Sequence, residues 1–390
     1  MKSICLYNGT ILNGFSVMED CALLIEDGRI ADVFSRKRLE KKRLPASVER
    51  IDVQGAFISP GLIDTHIHGF NGHGTEDASA DAILAMSEDL AEYGVTAFNP
   101  TLYSSDETAF AREIQAVTAA MGRENGAKIM GIHLEGPFVS PEKAGVQRIE
   151  TLHSVDIDLM QRLWTLSGGR IVNMTVAPEL KGMRELALFC MKLGIVLQAG
   201  HTNAMYENMV EGMQAGILHA THLFNAMSQM HHRNPGAVGA VLIHPEMSCE
   251  IIADGVHVHP DLIKLLLRDK PVSKIVLVTD ALKPTEQKKG ELFANGERVV
   301  AAGGCFHRSA DGVIAGSSLT MIRGVQNLVS FGFPLADAVS CATINPAQVM
   351  GYRFKGCLVP GRDGDVVVFD SGFRVLLSVI GGAVKKNILS

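Results

Sequence analysis

The sequence predicts an α/β protein: a TIM-like (β/α)8 barrel over residues 57–355, inserted in a small β-sandwich domain formed by both chain ends, 1–56 and 356–390. Three observations carry this. Between residues 57 and 279, apolar strand-like runs alternate with helical-period stretches, the rhythm of parallel strands wrapped by helices. Outside that stretch the chain reads as short strands with Gly and Asp turns. Finally, 390 residues with 47% hydrophobic content are too many for one ordinary core and enough for a large barrel plus a smaller module.

In order, residues 4–7, 22–26 and 29–34 read as strands, the last two joined by an Asp27-Gly28 hairpin signal. The basic stretch 36–43 reads as a solvated face. Eight barrel strands are expected at 57–66, 95–101, 128–134, 171–177, 194–199, 218–223, 249–253 and 274–279. Helical periodicity separates most of them, at 81–93, 106–121, 181–193, 203–215 and 260–267, and two more helices follow at 319–331 and 334–350. Beyond residue 355 turns and strands return, at 365–370 and 374–380.

Charge narrows the partners. With 36 basic against 42 acidic residues and no basic block, nothing favours nucleic acid. Apolar runs stay below the 18 or so residues of a membrane span, and the first residues lack a signal-like apolar segment. The seven cysteines are scattered, odd in number and without Cys-x-x-Cys spacing, which suits free thiols of a reducing, cytoplasmic compartment.

The chemistry begins at Asp64-Thr65-His66-Ile67-His68. Side chains two apart on a strand share a face, with Cα atoms roughly 6.5–7 Å apart, so His66 and His68 can grip one ion. Barrels of this kind carry their reacting groups at the C-terminal strand ends. Reading those ends in turn gives Glu135 in His133-Leu134-Glu135-Gly136-Pro137, His201 in Gly200-His201-Thr202-Asn203, His222 in Thr221-His222-Leu223-Phe224-Asn225-Ala226-Met227, and Asp280 in Val278-Thr279-Asp280-Ala281. Imidazole with carboxylate suits zinc or a similar divalent ion. His133 also faces the axis and is expected to support the site through a hydrogen bond. Asp280, after a nearly continuous apolar run, is costly without a partner; it reads as a helper for bound water or as an N-cap.

These segments, with Asp-Gly-Val-His at 254–257 and Leu-Val-Pro-Gly-Arg-Asp-Gly-Asp near the C-terminus, resemble the N-acetylglucosamine-6-phosphate deacetylase family of the amidohydrolase superfamily over essentially the whole chain. The resemblance implies a metal-dependent hydrolase that removes the N-acetyl group of N-acetylglucosamine 6-phosphate. Glu135, His201 and His222 would bind the principal metal, and His66, His68 and Asp280 a second, with Asp280 also the catalytic acid and base. One or two ions fit, zinc first, with iron, manganese or cobalt as alternatives. No Lys occurs in 171–179, so Glu135 rather than a carboxylated lysine would bridge. Val146, Gln147, Asn225, Ala226, His257 and Ile314-Ala315-Gly316 would contact the substrate. Arg233, otherwise a plain surface residue, would reach the phosphate of a neighbouring subunit, implying a homodimer or homotetramer; its planar fork of donors suits phosphate. Family members from enteric bacteria carry a His where this chain has Gln147, a group that donates a hydrogen bond but exchanges no proton usefully. Other readings are the galactosamine epimer as substrate, an amidohydrolase acting on cyclic amides, and a non-catalytic sugar-phosphate binder.

Overall fold

The computed structural model describes residues 3–14 and 16–389. The sandwich expected of the chain ends takes the form of one continuous eight-stranded sheet, in the order Ala383–Asn387, Val375–Ile380, Val366–Phe369, Phe57–Pro60, Ile4–Leu12, Val17–Glu26, Arg29–Ser35, with Glu49–Asp52 also paired to Ile4–Leu12. Chain start and chain end meet where Val366–Phe369 runs antiparallel to Phe57–Pro60, Val366 opposite Pro60 and Phe369 opposite Phe57. Alternation supplies a core on each face: Leu23 and Ile25 pack with Ile58 and Val368, while Ala22 and Leu24 pack with Phe34 and Val48. Asp27 and Gly28 take the positive φ (49° and 77°) that a tight hairpin requires, and Glu26 pairs with Arg29. The basic stretch forms the helix Arg36–Lys41 and its solvated continuation, with Arg38 and Lys42 both on Asp32.

Eight parallel strands form the barrel: Leu62–Ile67, Val95–Tyr103, Ile132–Glu135, Ile171–Val176, Val196–Ala199, His219–Ala220, Ser248–Ile252 and Ile275–Val278. Their side chains are almost wholly buried, as strands covered on both faces demand. The ring closes between the last strand and the first: Asp280 N donates to His66 O at 2.9 Å, and His68 N to Ala281 O at 2.9 Å.

Three strands differ from the sequence expectation: the run 128–134 is Lys128–Ile129 and Ile132–Glu135, both paired to Val95–Tyr103, and two more differ for visible reasons. The run 57–66 is two strands, Phe57–Pro60 in the small sheet and Leu62–Ile67 in the barrel. They part at Gly61, where a Cβ would lie 2.0 Å from Thr96 Oγ1 and where the amide bonds Asp365 O at 3.0 Å. The sixth strand shrinks to His219–Ala220, because the backbone turns left-handed at His222, Phe224 and Ala226.

The expected helices are found with shifted ends, except that 334–350 is two short helices, Leu335–Cys341 and Ile344–Val349. The sequence reading passed over two others. Ile157–Leu166 opens on Asp156, whose side chain accepts from Leu159 N at 3.0 Å. Gly236–Ile243 is apolar on every side and buried over most of its length, so it has no periodicity to detect. Also unforeseen is an antiparallel insertion after the eighth strand, Phe293–Ala294, Glu297–Ala302, Cys305–Arg308 and Ile314–Ser317. It packs Ala294, Val299 and Phe306 against Tyr103 and Leu282 at the C-terminal mouth of the barrel. Among the described residues no helix is long and apolar enough to cross a membrane.

Candidate active site

Strand period and strand ends together aim six donor side chains at one point on the barrel axis. His66 and His68 share a face of the first strand and its extension; Glu135 ends the third. His201, His222 and Asp280 each lie just past a strand, with φ of 44°, 24° and 48°. Left-handed backbone at non-glycine residues is costly, and here it turns each side chain off the strand line.

The donors form two groups, Glu135–His201–His222 and His66–His68–Asp280. In the first, Glu135 Oε1 lies 3.2 Å from His201 Nε2 and 3.1 Å from His222 Nε2, and the two nitrogens face each other at 3.2 Å. In the second, Asp280 Oδ1 lies 3.5 Å from His66 Nε2 and 3.4 Å from His68 Nε2. Glu135 joins the two groups, with Oε1 3.3 Å from His66 Nε2 and Oε2 3.3 Å from His68 Nε2. A tetrahedral ion with donors at about 2.0–2.1 Å spaces them by about 3.3–3.4 Å, so both groups fit a divalent ion. Among the described residues nothing hydrogen-bonds the buried His66 Nε2, as suits a nitrogen reserved for an ion.

The groups behind the donors fix their orientation. His66 Nδ1 donates to Glu250 Oε2 at 3.0 Å and His201 Nδ1 to Lys143 O at 2.9 Å, leaving each Nε2 free to face the ion position. Glu250 also accepts from Gln198 Nε2 at 3.1 Å and from His222 N at 3.2 Å. Burial opposes charge on Glu250 and Glu135, yet the neighbouring histidines, His66 first, hold both carboxyls well below their usual range. Burial likewise opposes charge on Asp280, and His66 and His68 outweigh it and lower its pKa. Asp64, accepting from Thr279 Oγ1 at 2.5 Å, ties the first strand to the eighth; burial pushes its pKa up to about 7. His133 is a support, as expected, bonding Thr101 Oγ1 at 3.1 Å and Thr175 Oγ1 at 2.9 Å with its edge against His66.

A cavity of about 410 Å³ opens over these groups. Of the residues expected at the substrate, Val146, Asn225, Ala226, His257, Ile314, Ala315 and Gly316 line it. His257 Nδ1 bonds Asp254 Oδ2 at 2.6 Å; burial works against its charge, and Asp254 overcomes that and raises its pKa. One expected contact is placed elsewhere. Gln147 does not line the cavity: its Nε2 donates to Glu135 Oε2 at 2.6 Å, and its Oε1 accepts from Ser104 N at 2.9 Å. A carboxylate next to an amide takes its donor, so Gln147 supports Glu135 rather than facing substrate. Arg233 is exposed on the turn 231–234, Nη1 against His232 Nε2 at 2.7 Å, away from its own chain's cavity.

Tyr103, Glu142 and Lys143 line the cavity and Glu250 lies beneath it, none of them singled out from sequence. Glu250 carried a usable signal, a carboxylate inside the apolar run Cys249-Glu250-Ile251-Ile252, the same anomaly that marks Asp280.

A barrel with paired His and carboxylate cradles at the C-terminal ends of its strands defines a metal-dependent hydrolase of the amidohydrolase type. The profile of the Amidohydrolase family matches residues 57–390, and the chain belongs to that family. Within it, the chain is 33% identical over 389 residues to the N-acetylglucosamine-6-phosphate deacetylase of Bacillus subtilis, covering 98% of this chain and 97% of that protein. It is 30% identical to the N-acetylgalactosamine-6-phosphate deacetylase of Escherichia coli O157:H7, covering 92% and 93%. Among solved structures, the N-acetylglucosamine-6-phosphate deacetylase of Pasteurella multocida superposes with a TM-score of 0.92 at 27% identity, over 99% of this chain and 100% of that one.

Proposed function

We infer that this chain hydrolyses the N-acetyl group of N-acetyl-D-glucosamine 6-phosphate, giving D-glucosamine 6-phosphate and acetate in amino-sugar catabolism. The observation that carries the reading is the double cradle sharing Glu135, with Asp280 on its rim, at the floor of a cavity sized for a small substrate. The near-full-length likeness to deacetylases of that name supplies the substrate.

Glu135, His201 and His222 would hold one divalent ion, and His66, His68 and Asp280 a second; zinc suits the donors best, with iron(II), manganese or cobalt as alternatives. Such an ion supplies a Lewis acid that polarises the acetyl carbonyl and acidifies water. The protein's own side chains do the rest. Asp280, held ionised by His66 and His68, takes a proton from the attacking water and returns it to the sugar nitrogen, which leaves as a neutral amine. Ile314, Ala315 and Gly316 form the wall beside the sugar, and the Asn225–Ala226 turn the facing side.

Lys143 is the one Lys or Arg among the cavity-lining residues, little positive charge for a phosphate dianion. Arg233, exposed and bonded through its guanidinium tip only to His232 among the described residues, suits the phosphate of a second subunit, which supports a homodimer or homotetramer. The unpaired thiols favour a cytoplasmic setting.

The test is acetate release from the 6-phosphorylated sugar against the unphosphorylated sugar. Release that requires the phosphate supports the reading; equal release, or none, rejects it. Asp280→Asn should keep the fold while turnover falls by about 10²–10⁴-fold. A variant with near-normal kcat would remove Asp280 from the mechanism. The galactosamine epimer is favoured by one relative's name and is settled by measuring kcat/KM for both epimers side by side.

A further inference from the structure

Beside the ion that would polarise the acetyl carbonyl, a hydrogen-bond donor at the acetyl oxygen would further stabilise the charge that gathers there as the attacking water's oxygen bonds the carbonyl carbon. Gln147 does not serve, because it does not line the cavity and its amide is held between Glu135 and Ser104. The residue just before Ser104 is better placed. Tyr103 ends the second barrel strand, and its ring lies flat on the His68 imidazole, centroids 3.8 Å apart and planes within 9°. It shares a hydrophobic cluster with Leu282, Ala294, Val299 and Phe306, which joins the second cradle to the inserted hairpins. The side chain is only 4% exposed, it lines the cavity beside Glu135 and Asp280, and its hydroxyl bonds no described residue. The hydroxyl oxygen is not among the fully buried polar atoms that lack a partner, so it opens on the cavity and is free to donate to a ligand there. The cavity's one side-chain amide is turned away from it, Asn225 Nδ2 bonding His222 O and Leu223 O.

We propose that Tyr103 is a catalytic residue whose hydroxyl donates a hydrogen bond to the acetyl oxygen as it becomes an oxyanion, the post that Gln147 leaves vacant. The assignment rests on the deacetylase reading. The phenol keeps its proton throughout. The water oxygen bonds the acetyl carbon, the carbonyl π pair moves onto the oxygen facing Tyr103, and Asp280 takes the water's proton. The pair then returns, the C–N bond breaks, and Asp280 passes its proton to the nitrogen.

The variant is Tyr103→Phe, which keeps the ring on His68 and removes only the donor. Two substrates are compared, the N-acetyl and the N-trifluoroacetyl sugar 6-phosphate, since fluorine stabilises the oxyanion within the substrate itself. The expected result is a fall in kcat of about 10²-fold on the acetyl substrate with KM little changed. On the trifluoroacetyl substrate the fall should shrink below about tenfold, with ion content and Tm as in the wild type. A kcat within twofold of wild type on the acetyl substrate overturns the proposal. So does an equal loss on both substrates, or a loss of ion content, which would make Tyr103 a prop for His68. Absence of turnover by the wild-type protein would instead reject the deacetylase reading, and the assignment with it.

Discussion

Glu250 shows how much of this site rests on residues that touch nothing catalytic. Its carboxylate, wholly buried on the seventh strand, takes the Nδ1 proton of His66 and the amides of Gln198 and His222, so one side chain orients a donor in each cradle. Glu250→Gln keeps the size and loses the charge. It should weaken ion binding on the His66 side by about 10–100-fold, read as metal per chain after dialysis against a graded chelator. Metal retention equal to wild type would reduce Glu250 to a packing residue. The donors themselves were legible in the sequence, because an alternating pair on a strand and a carboxylate after apolar runs are both anomalies against burial cost. Tyr103 was not, since an aromatic residue at a strand end is ordinary core until a cavity is seen beside it. Nor was the placement of Gln147: sequence puts it twelve residues from Glu135, and only the fold shows its amide turned onto that carboxylate.

At the scale of elements, the helix Glu107–Ala120 illustrates a cost the protein bears away from the site. Its inner face carries Glu113, whose Oε2 is buried without a hydrogen-bond partner among the described residues, and burial pushes the carboxyl up to about 8. Between the ordinary glutamate value of 4.5 and about 8 the folded chain keeps this proton while the unfolded chain releases it. The folded state therefore binds more protons in that window, and Glu113's contribution to stability falls as pH rises through it. Glu113→Gln should stabilise the protein on the order of 2 kcal/mol at pH 8 and little near pH 5, measured by urea unfolding of both proteins at each pH. A difference independent of pH would mean that Glu113 titrates normally. The elements were read from sequence where they carried a period, as in Ala80–Glu92 or Met183–Leu193. They were missed where burial erases it, as in Gly236–Ile243, and where strands are too short to announce themselves, as in the insertion that holds Ile314–Ser317 at the cavity.

For the whole molecule, the eightfold alternation announced the barrel and the strand-rich ends announced the small domain. The crossing between them was less visible, because 57–66 is apolar throughout and only the tertiary contact of Gly61 with Thr96 divides it. The ring's closure, by contrast, is written nowhere in the local pattern, and it has a consequence for how the protein tolerates loss of metal. A barrel is a hoop, and this one closes between its last and first strands through the amides of Asp280, His68 and Gly69 and the Thr279–Asp64 bond; Asp280 and His68 also offer side-chain atoms to the second cradle. An ion seated there acts as a rivet through the fastening. At a hundred times its dissociation constant it adds about 2.7 kcal/mol to the folded state, concentrated at that joint. Chelation should then hasten deuterium exchange at the Asp280 and His68 amides well before it is felt across the barrel at Leu197, which pairs with Met174. Uniform acceleration at both places would deny the joint any special part. Metal starvation, on this account, leaves a hoop with its clasp undone rather than an intact barrel that merely lacks a reagent.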